Sequence, residues 1–366
     1  MFRKYVFQMG LLLSLLLCGA CSEFNGKEAE VAFPDVPEYE VPAVSGITVD
    51  GRLDNWAAAG LEVKALAPLS GRVPDPDDLS AKVRLGWTTE GLLVAIDVRD
   101  DVAREAPVGG RLFRGDCIHL YYAERRGGRN TYQAIITPGR GADAPEMRIM
   151  LSDRRKQAKE LGAINLDYKF THYDQGYRFE ALLPWSAVGT EATEGATAAL
   201  QVFVADADRG EGMTQGWYPE RGDWRKALAL QPLVMRSDKA VPPLSASAFS
   251  RVSDMSHISI AVAASSDIAD RSVHAVSRSG MRVQTELVDR GGVLEAYMHW
   301  PLARDNDSAE PVAVYAGSRL LGVLSPPHLD QERIREYVQT SVEFKPALFT
   351  GDRFPSFDYP DPEYME

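Results

Sequence analysis

The sequence predicts an all-β protein, a β-sandwich followed by a smaller immunoglobulin-like β domain. Three observations lead there. From Ile47 onward, many runs of about four to eight residues alternate apolar with polar side chains or stay apolar throughout, the patterns of half-buried and fully buried strands. Gly, Asp or Asn stands between most of these runs, as turns require. Within the first sandwich only "RRKQAKELGA", residues 154–163, reads as a short helix or else a loop.

The elements follow in order. "AKVRLGW" (81–87) and "GLLVAIDVRD" (91–100) flank Thr88-Thr89-Glu90 as a hairpin. "DCIHLYYAE", "TYQAIITP", "EMRIMLSD", "NLDYKFTHYD", "YRFEALLPW", "ALQVFVADAD" and "LALQPLVM" continue to residue 235. Together they make one domain over 46–236. "SDKAVPPLSAS" (237–247) reads as a Pro-containing linker. Six further runs, from "HISIAVAA" to "RLLGVLS", make the small immunoglobulin-like domain over 248–326. Residues 327–366 hold a helical spacing at Leu329, Ile334 and Val338 and then an irregular tail rich in Pro and aromatics.

The amino terminus has its own logic. Arg3 and Lys4 precede a mainly apolar run from Val6 to Leu17, too short to span a membrane, so residues 1–20 read as a secretory signal. The small residues Gly19 and Ala20 before Cys21 are similar to a bacterial lipoprotein signal, which implies lipidation at Cys21 and a membrane partner through that anchor. Ser22 then implies the outer membrane or cell surface. Residues 21–45, acidic and punctuated by Pro, read as a disordered tether.

Composition is globular, with 45% hydrophobic and 25% charged residues. The formal net charge is −12, and loss of Arg3 and Lys4 with the signal makes it −14, with no basic cluster; nucleic acid is not an expected partner. Once Cys18 leaves with the signal, Cys117 is the single cysteine besides Cys21, so a disulfide framework is excluded and Cys117 is expected in the core. The six His form neither HxH nor HExxH, and GxSxG, CxxC and a phosphate-cradling Gly loop are all missing. No catalytic residue is therefore assigned. Trp56, Trp87, Trp185 and Trp300 read as core aromatics.

One constellation remains. "ITVDGRLDNWAAAG", "VRLGWTTEGLLVAIDVRDD", "FRGDCIHLYY", "YRFEALLPW", "LQVFVADAD" and "GWYPERGDWRKALAL" occur in that order. In that order they resemble the family 9 carbohydrate-binding modules, β-sandwich domains often joined to xylanases in secreted bacterial proteins. The resemblance covers about residues 46–236. It implies non-catalytic binding of a polysaccharide or oligosaccharide in support of glycan capture. It also implies that Phe113 and Trp224 face each other and clamp a terminal sugar between aromatic faces. His119 and Gln133 stand where the family has a Glu and an Arg that contact sugar, and both can still hydrogen-bond hydroxyls. Asp100 matches the polar residue ending the preceding strand, and Trp217 is placed to extend the platform. Asp116 is expected to hold its loop by accepting backbone N–H bonds, and Trp185 to pack the Leu-Pro-Trp turn. The two Arg-Gly-Asp copies, at 114–116 and 221–223, are then flanks of the clamp and not adhesion signals.

Family members can carry calcium. Here no cofactor is read from the residues, metal ligands stay unassigned, and Asp206 and Asp208 read as a polar strand-end turn. Two other readings stay open. Replacement of the charged pair by His119 and Gln133 favours a structural component of a polysaccharide-uptake assembly that has lost sugar binding. The family's company with hydrolases suggests an accessory part of a glycoside hydrolase.

Overall fold

The computed structural model describes residues 32–69, 73–106, 112–128, 130–139, 145, 147–153, 156–160, 166–208, 213–217, 227–237, 240–252, 257–303 and 308–326. The expected signal peptide, Cys21, Trp224 with the second Arg-Gly-Asp copy, and the helix and tail over 327–366 lie outside these residues. The chain divides into two compact units, Met1–Phe33 and Pro34–Glu366. Both sandwiches lie in the second.

The first sandwich sets a nine-stranded sheet against a five-stranded one. Numbered in chain order, the larger sheet runs β1 (Tyr39–Pro42), β14 (Gln231–Arg236), β12 (Thr197–Asp206), β6 (Cys117–Ala123), β7 (Asn130–Ile136), β8 (Met147–Asp153) and β9 (Lys156–Glu160). At β12 it also gains β13 (Met213–Gly216), which pairs β3 (Ala67–Pro68). The smaller sheet runs β10 (Asp167–Tyr173), β11 (Gly176–Pro184), β5 (Gly91–Asp100), β4 (Leu79–Trp87) and β2 (Leu61–Val63). Residues 88–90 join β4 to β5 as the expected hairpin loop.

Strand alternation decides which side chains meet. Leu92, Val94, Ile96 and Val98 of β5 face Ile118, Leu120 and Tyr122 of β6 and Leu200, Val202 and Val204 of β12 across the inter-sheet core. β5 stays apolar because its outer face is covered too. Leu93 and Ala95 pack under Trp56, with Val44, Ile47, Val49 and Leu53 beside them. A buried carboxylate latches this cover. Glu180 of β11 accepts from the backbone N–H of Asp50 (2.9 Å), that of Gly51 (2.7 Å) and the Trp56 indole (2.6 Å). Gly51 sits at φ +79°, and a Cβ there would lie 2.9 Å from the Phe170 carbonyl carbon. "VDGRLDNW" and "FEALLPW" are thus two halves of one latch. Trp185, in the short helix α1 (Trp185–Val188), packs edge-on to Trp87 and donates its indole N–H to the Thr88 carbonyl at 2.9 Å.

The second sandwich pairs two four-stranded sheets. One runs β15 (Ala246–Val252), β16 (His257–Ser265), β20 (Val293–Pro301) and β19 (Val288–Asp289). The other runs β18 (Arg282–Glu286), β17 (Ser272–Ser277), β21 (Val312–Ala316) and β22 (Arg319–Leu324). Two of these strands go beyond the six runs read from sequence. β15 lies partly in the expected linker, and "MRVQTELVD" splits at buried Leu287 into β18 and β19.

Three expectations are corrected. Tyr39–Pro42, read as tether, is an edge strand parallel to β14, because Val41 has a fully buried place in the inter-sheet core. Lys156–Glu160, read as helix, pairs antiparallel with β8. An open strand edge beside it offers a full ladder, whereas a ten-residue helix without an apolar face is marginal. The segment 237–247 is not a free linker along its whole length. Leu244 is buried, donates to the Glu62 carbonyl (2.7 Å) and accepts from the Lys64 N–H (2.9 Å), tying the two sandwiches together.

Candidate functional site

The outer face of the nine-stranded sheet carries polar groups where a sandwich exterior would ordinarily be solvated. Register places Gln201 of β12, Tyr121 of β6 and Gln133 of β7 in one row, and Phe203, His119 and Ile135 in the next. Gln133 Nε2 donates to the Tyr121 hydroxyl at 2.6 Å. The His119 Nδ1 is 3.4 Å from that same hydroxyl, and its Nε2 is 3.2 Å from the Cys117 Sγ. Burial pushes the His119 imidazole down to about 4, so it is neutral at ordinary pH. The two rows thus hold donors and acceptors without net charge, with Gln201, Tyr121 and Gln133 buried and His119 half-buried.

The turn that carries Phe113 packs on this sheet. It is a single 3₁₀ turn, Leu112–Arg114, whose Leu112 packs on Cys117 and Ile135. Phe113 itself is 36% exposed, one of few large apolar side chains among the described residues that are. Asp116 pins the turn. Its carboxylate accepts from the backbone N–H of Arg104 and from that of Ala207 (3.0 Å). The Arg104 guanidinium returns bonds to the carbonyls of Ala207 (2.8 Å) and Asp208 (3.2 Å). At Gly115 a Cβ would meet the Ala106 nitrogen at 2.3 Å, so only glycine fits. Gly115 and Asp116 of the first Arg-Gly-Asp copy are therefore buried loop hardware and cannot present an adhesion motif.

Two predicted site residues are elsewhere. Trp217 is 1% exposed in the inter-sheet core, edge-on to Tyr39, with its indole N–H donating to the Leu200 carbonyl at 3.3 Å. It follows Gly216, which leaves room for the Phe203 ring on the outer face; the next side chain then points inward. It does not extend a platform. Asp100 continues the inward set of β5 and lies at the end of the sandwich between the sheets, accepting from the Val102 N–H at 3.0 Å. Tyr121 and Gln201, central to the row, were missed by sequence reasoning. The available signal was period two from His119 along "CIHLYYA".

At that end of the sandwich the structure gathers carboxylates. Single oxygens of Asp100, Asp206 and Asp208 lie within 4.8 Å of one another, as do those of Asp78, Asp101 and Asp208. Asp206 is 1% exposed, and its Oδ2 is buried without a hydrogen-bond partner among the described residues. Burial first, then the charges of Asp208, Asp100 and Asp78, push the Asp206 carboxyl up to about 7. Burial likewise pushes Asp116 up to about 6, against the lowering effect of its two backbone bonds. An all-oxygen, acidic donor set with an orphan inward oxygen fits a hard divalent cation of the calcium class. Asp100, Asp206 and Asp208 would hold it, with Asp78 and Asp101 in reach. The sequence reading of Asp206 and Asp208 as a simple turn did not include the partners that arrive from β5 and the start of β4.

Comparison with known proteins places this geometry. Residues 49–222 match the family model described as "Carbohydrate family 9 binding domain-like". Among solved structures, the chain is similar to a family 9 carbohydrate-binding module from Caldicellulosiruptor kristjanssonii in complex with cellotriose, at 18% identity and TM-score 0.39, over 57% of this chain and 98% of that one. It is also similar to a family 9 module from that organism in complex with glucose, at 17% identity and TM-score 0.40, over 56% of this chain and 99% of that one. No curated protein matches the chain. The matched segment spans the latch, Phe113, Asp116 and the polar row, and residues 49–222 of the chain belong to the carbohydrate family 9 binding domain-like family.

Proposed function

We propose that the protein binds carbohydrate without catalysis, through the outer face of the nine-stranded sheet, while held at a bacterial outer surface by lipid on Cys21. The observation that carries the reading is the neutral cluster of His119, Tyr121 and Gln133, with exposed Phe113 on the turn whose Leu112 packs on Ile135 of the same face, within the family segment. Hydroxyls of a sugar need paired donors and acceptors at fixed positions. Its C–H faces need an aromatic plane. Trp224 supplies the second plane in this reading. A clamp of two aromatics and neutral hydrogen bonders implies a dissociation constant on the order of 10 μM to 1 mM.

A glycan array with the lipid-free chain from residue 22 tests the reading, followed by calorimetry on any hit. Phe113→Ala and Trp224→Ala are each expected to weaken binding at least tenfold. A hit whose affinity neither change alters would sink the clamp. Because His119 stays neutral, its titration should not change affinity from about pH 5 to about pH 8; any change there belongs to Asp116, pushed up to about 6, which pins the Phe113 turn. Stability has a sign of its own. The unfolded chain protonates this histidine near its ordinary value, while the folded chain resists until about 4, so His119's contribution is lost as pH falls through that window.

Anchoring is tested separately. Cys21→Ser should move the protein from the membrane fraction to the soluble one, and a variant that still pellets after a salt wash would overturn the lipid anchor.

A second reading has one observation in its favour. Tyr121 and Gln133 are only 2% and 5% exposed, which suits a scaffold face in an uptake assembly that takes no sugar. An array without hits would favour it.

A further inference from the structure

The second sandwich does not merely follow the first. Tyr121, Ala123, Ala199 and Phe203 of the outer face form one apolar cluster with Phe249 of β15 and Ala263 of β16. Within it three rings run in series. The Tyr121 ring meets Phe203 edge-on at 5.6 Å and 72°, and Phe203 meets Phe249 edge-on at 6.0 Å and 74°. Phe203 has no slack on its other side, since a Cβ on Gly216 would lie 2.7 Å from its ring. The series ends on the hydroxyl that takes the 2.6 Å bond from Gln133 and lies near His119.

We propose that the C-terminal sandwich is a wall of the glycan face, with Phe249 a positioning residue that sets Tyr121, and through it the His119–Gln133 row, by way of Phe203. The proposal rests on the carbohydrate-binding reading for its consequence, but not for its geometry. Close-packed rings pass on displacement, because a gap of half an ångström forfeits contact on one side. A hydrogen bond of 2.6 Å has little tolerance for such a shift. A second strut acts in parallel. The Tyr39 hydroxyl donates to the Leu321 carbonyl of β22 (3.0 Å), and the same ring packs edge-on against Trp217.

The test uses the full mature chain and two readouts. Side-chain resonances of His119 are followed by heteronuclear NMR in wild type, Phe249→Ala and Phe249→Leu. Val293→Ala, which trims the same apolar cluster outside the ring series, is the control. Phe249→Ala should shift and broaden the His119 imidazole signals, and Val293→Ala should leave them in place. Phe249→Leu keeps most of the volume, so it secures a folded variant should alanine not fold, and it should give a smaller shift in the same direction. Cellotriose affinity, by calorimetry, should fall at least fivefold in Phe249→Ala and be indifferent to it in a Tyr121→Phe background. Unmoved His119 signals in both Phe249 variants overturn the proposal. Wild-type chain that takes no sugar on the array, with His119 signals that do move, overturns the carbohydrate reading and leaves the positioning role standing.

Discussion

Removal of divalent cations should lower the melting temperature of the chain from residue 22 by about 5 °C or more, and millimolar calcium should restore it. Asp100 closes β5 of one sheet and Asp206 closes β12 of the other, and an oxygen of Asp208 lies within 4.8 Å of an oxygen of each. A cation held there ties the two sheets at the open end of the sandwich. Without it, buried carboxylates face each other and one oxygen of Asp206 lacks a partner among the described residues. A ligand at one hundred times its dissociation constant stabilises the folded state by about 2.7 kcal/mol. About 2 °C per kcal/mol for a chain of this size gives the expected shift. The sign for a variant is the sharper test. Asp206→Asn removes repulsion along with a ligand, so it should melt above wild type in chelator and below wild type in calcium. A melting temperature that responds to neither calcium nor magnesium, in wild type treated first with chelator, would exclude a cation role for the cluster.

What the sequence disclosed, and what it hid, divides along a physical line. Patterns carried by near neighbours were legible. The hairpin at 88–90, the core Trp56, Trp87, Trp185 and Trp300, and the buried Cys117 all follow from period two and from local turn residues. Motif order made the family segment legible as well. Features that depend on what lies across a sheet were not. Trp217 looked like a loop aromatic because nothing local says that Gly216 faces Phe203 and turns the next side chain inward. Asp100 looked like a sugar contact because its partners, Asp206 and Asp208, are more than a hundred residues away. Tyr39–Pro42 looked like tether because a single parallel edge strand bounded by prolines has no period to read. The ring series from Tyr121 to Phe249 joins two sandwiches that the Pro-containing segment at 237–247 seemed to separate.

Glu180→Ala should cost about 3–5 kcal/mol and lower the melting temperature by roughly 6–10 °C, the largest loss expected from one substitution outside the hydrophobic core. The side chain is 1% exposed and accepts three bonds, two from backbone N–H groups and one from an indole. Alanine leaves those donors without an acceptor, and each buried donor so stranded costs about 1–3 kcal/mol. The loss spreads, because the latch holds Trp56 and its apolar neighbours over Leu93 and Ala95. Lifted, that segment exposes an apolar strip that a hydrophobic dye should detect before the main transition. Glu180→Gln should cost less than half as much. It keeps one carbonyl oxygen for the donors, and it removes a charge whose burial already holds the carboxyl above its usual value. Trp56→Phe keeps the ring and strands Oε1, so it should fall between the two. An alanine variant that melts within about 1 °C of wild type would mean that water satisfies the donors and that the motif is not a latch. The geometry also separates this loss from function. Glu180 lies on the outer face of the five-stranded sheet, opposite the His119–Tyr121–Gln133 row on the nine-stranded one. Glu180→Gln, folded at 20 °C, should therefore bind any glycan that the wild type binds with unchanged affinity. Phe113→Ala should do the reverse, losing binding while its melting temperature falls less than that of Glu180→Ala, because a side chain already 36% exposed gives up only part of a full burial.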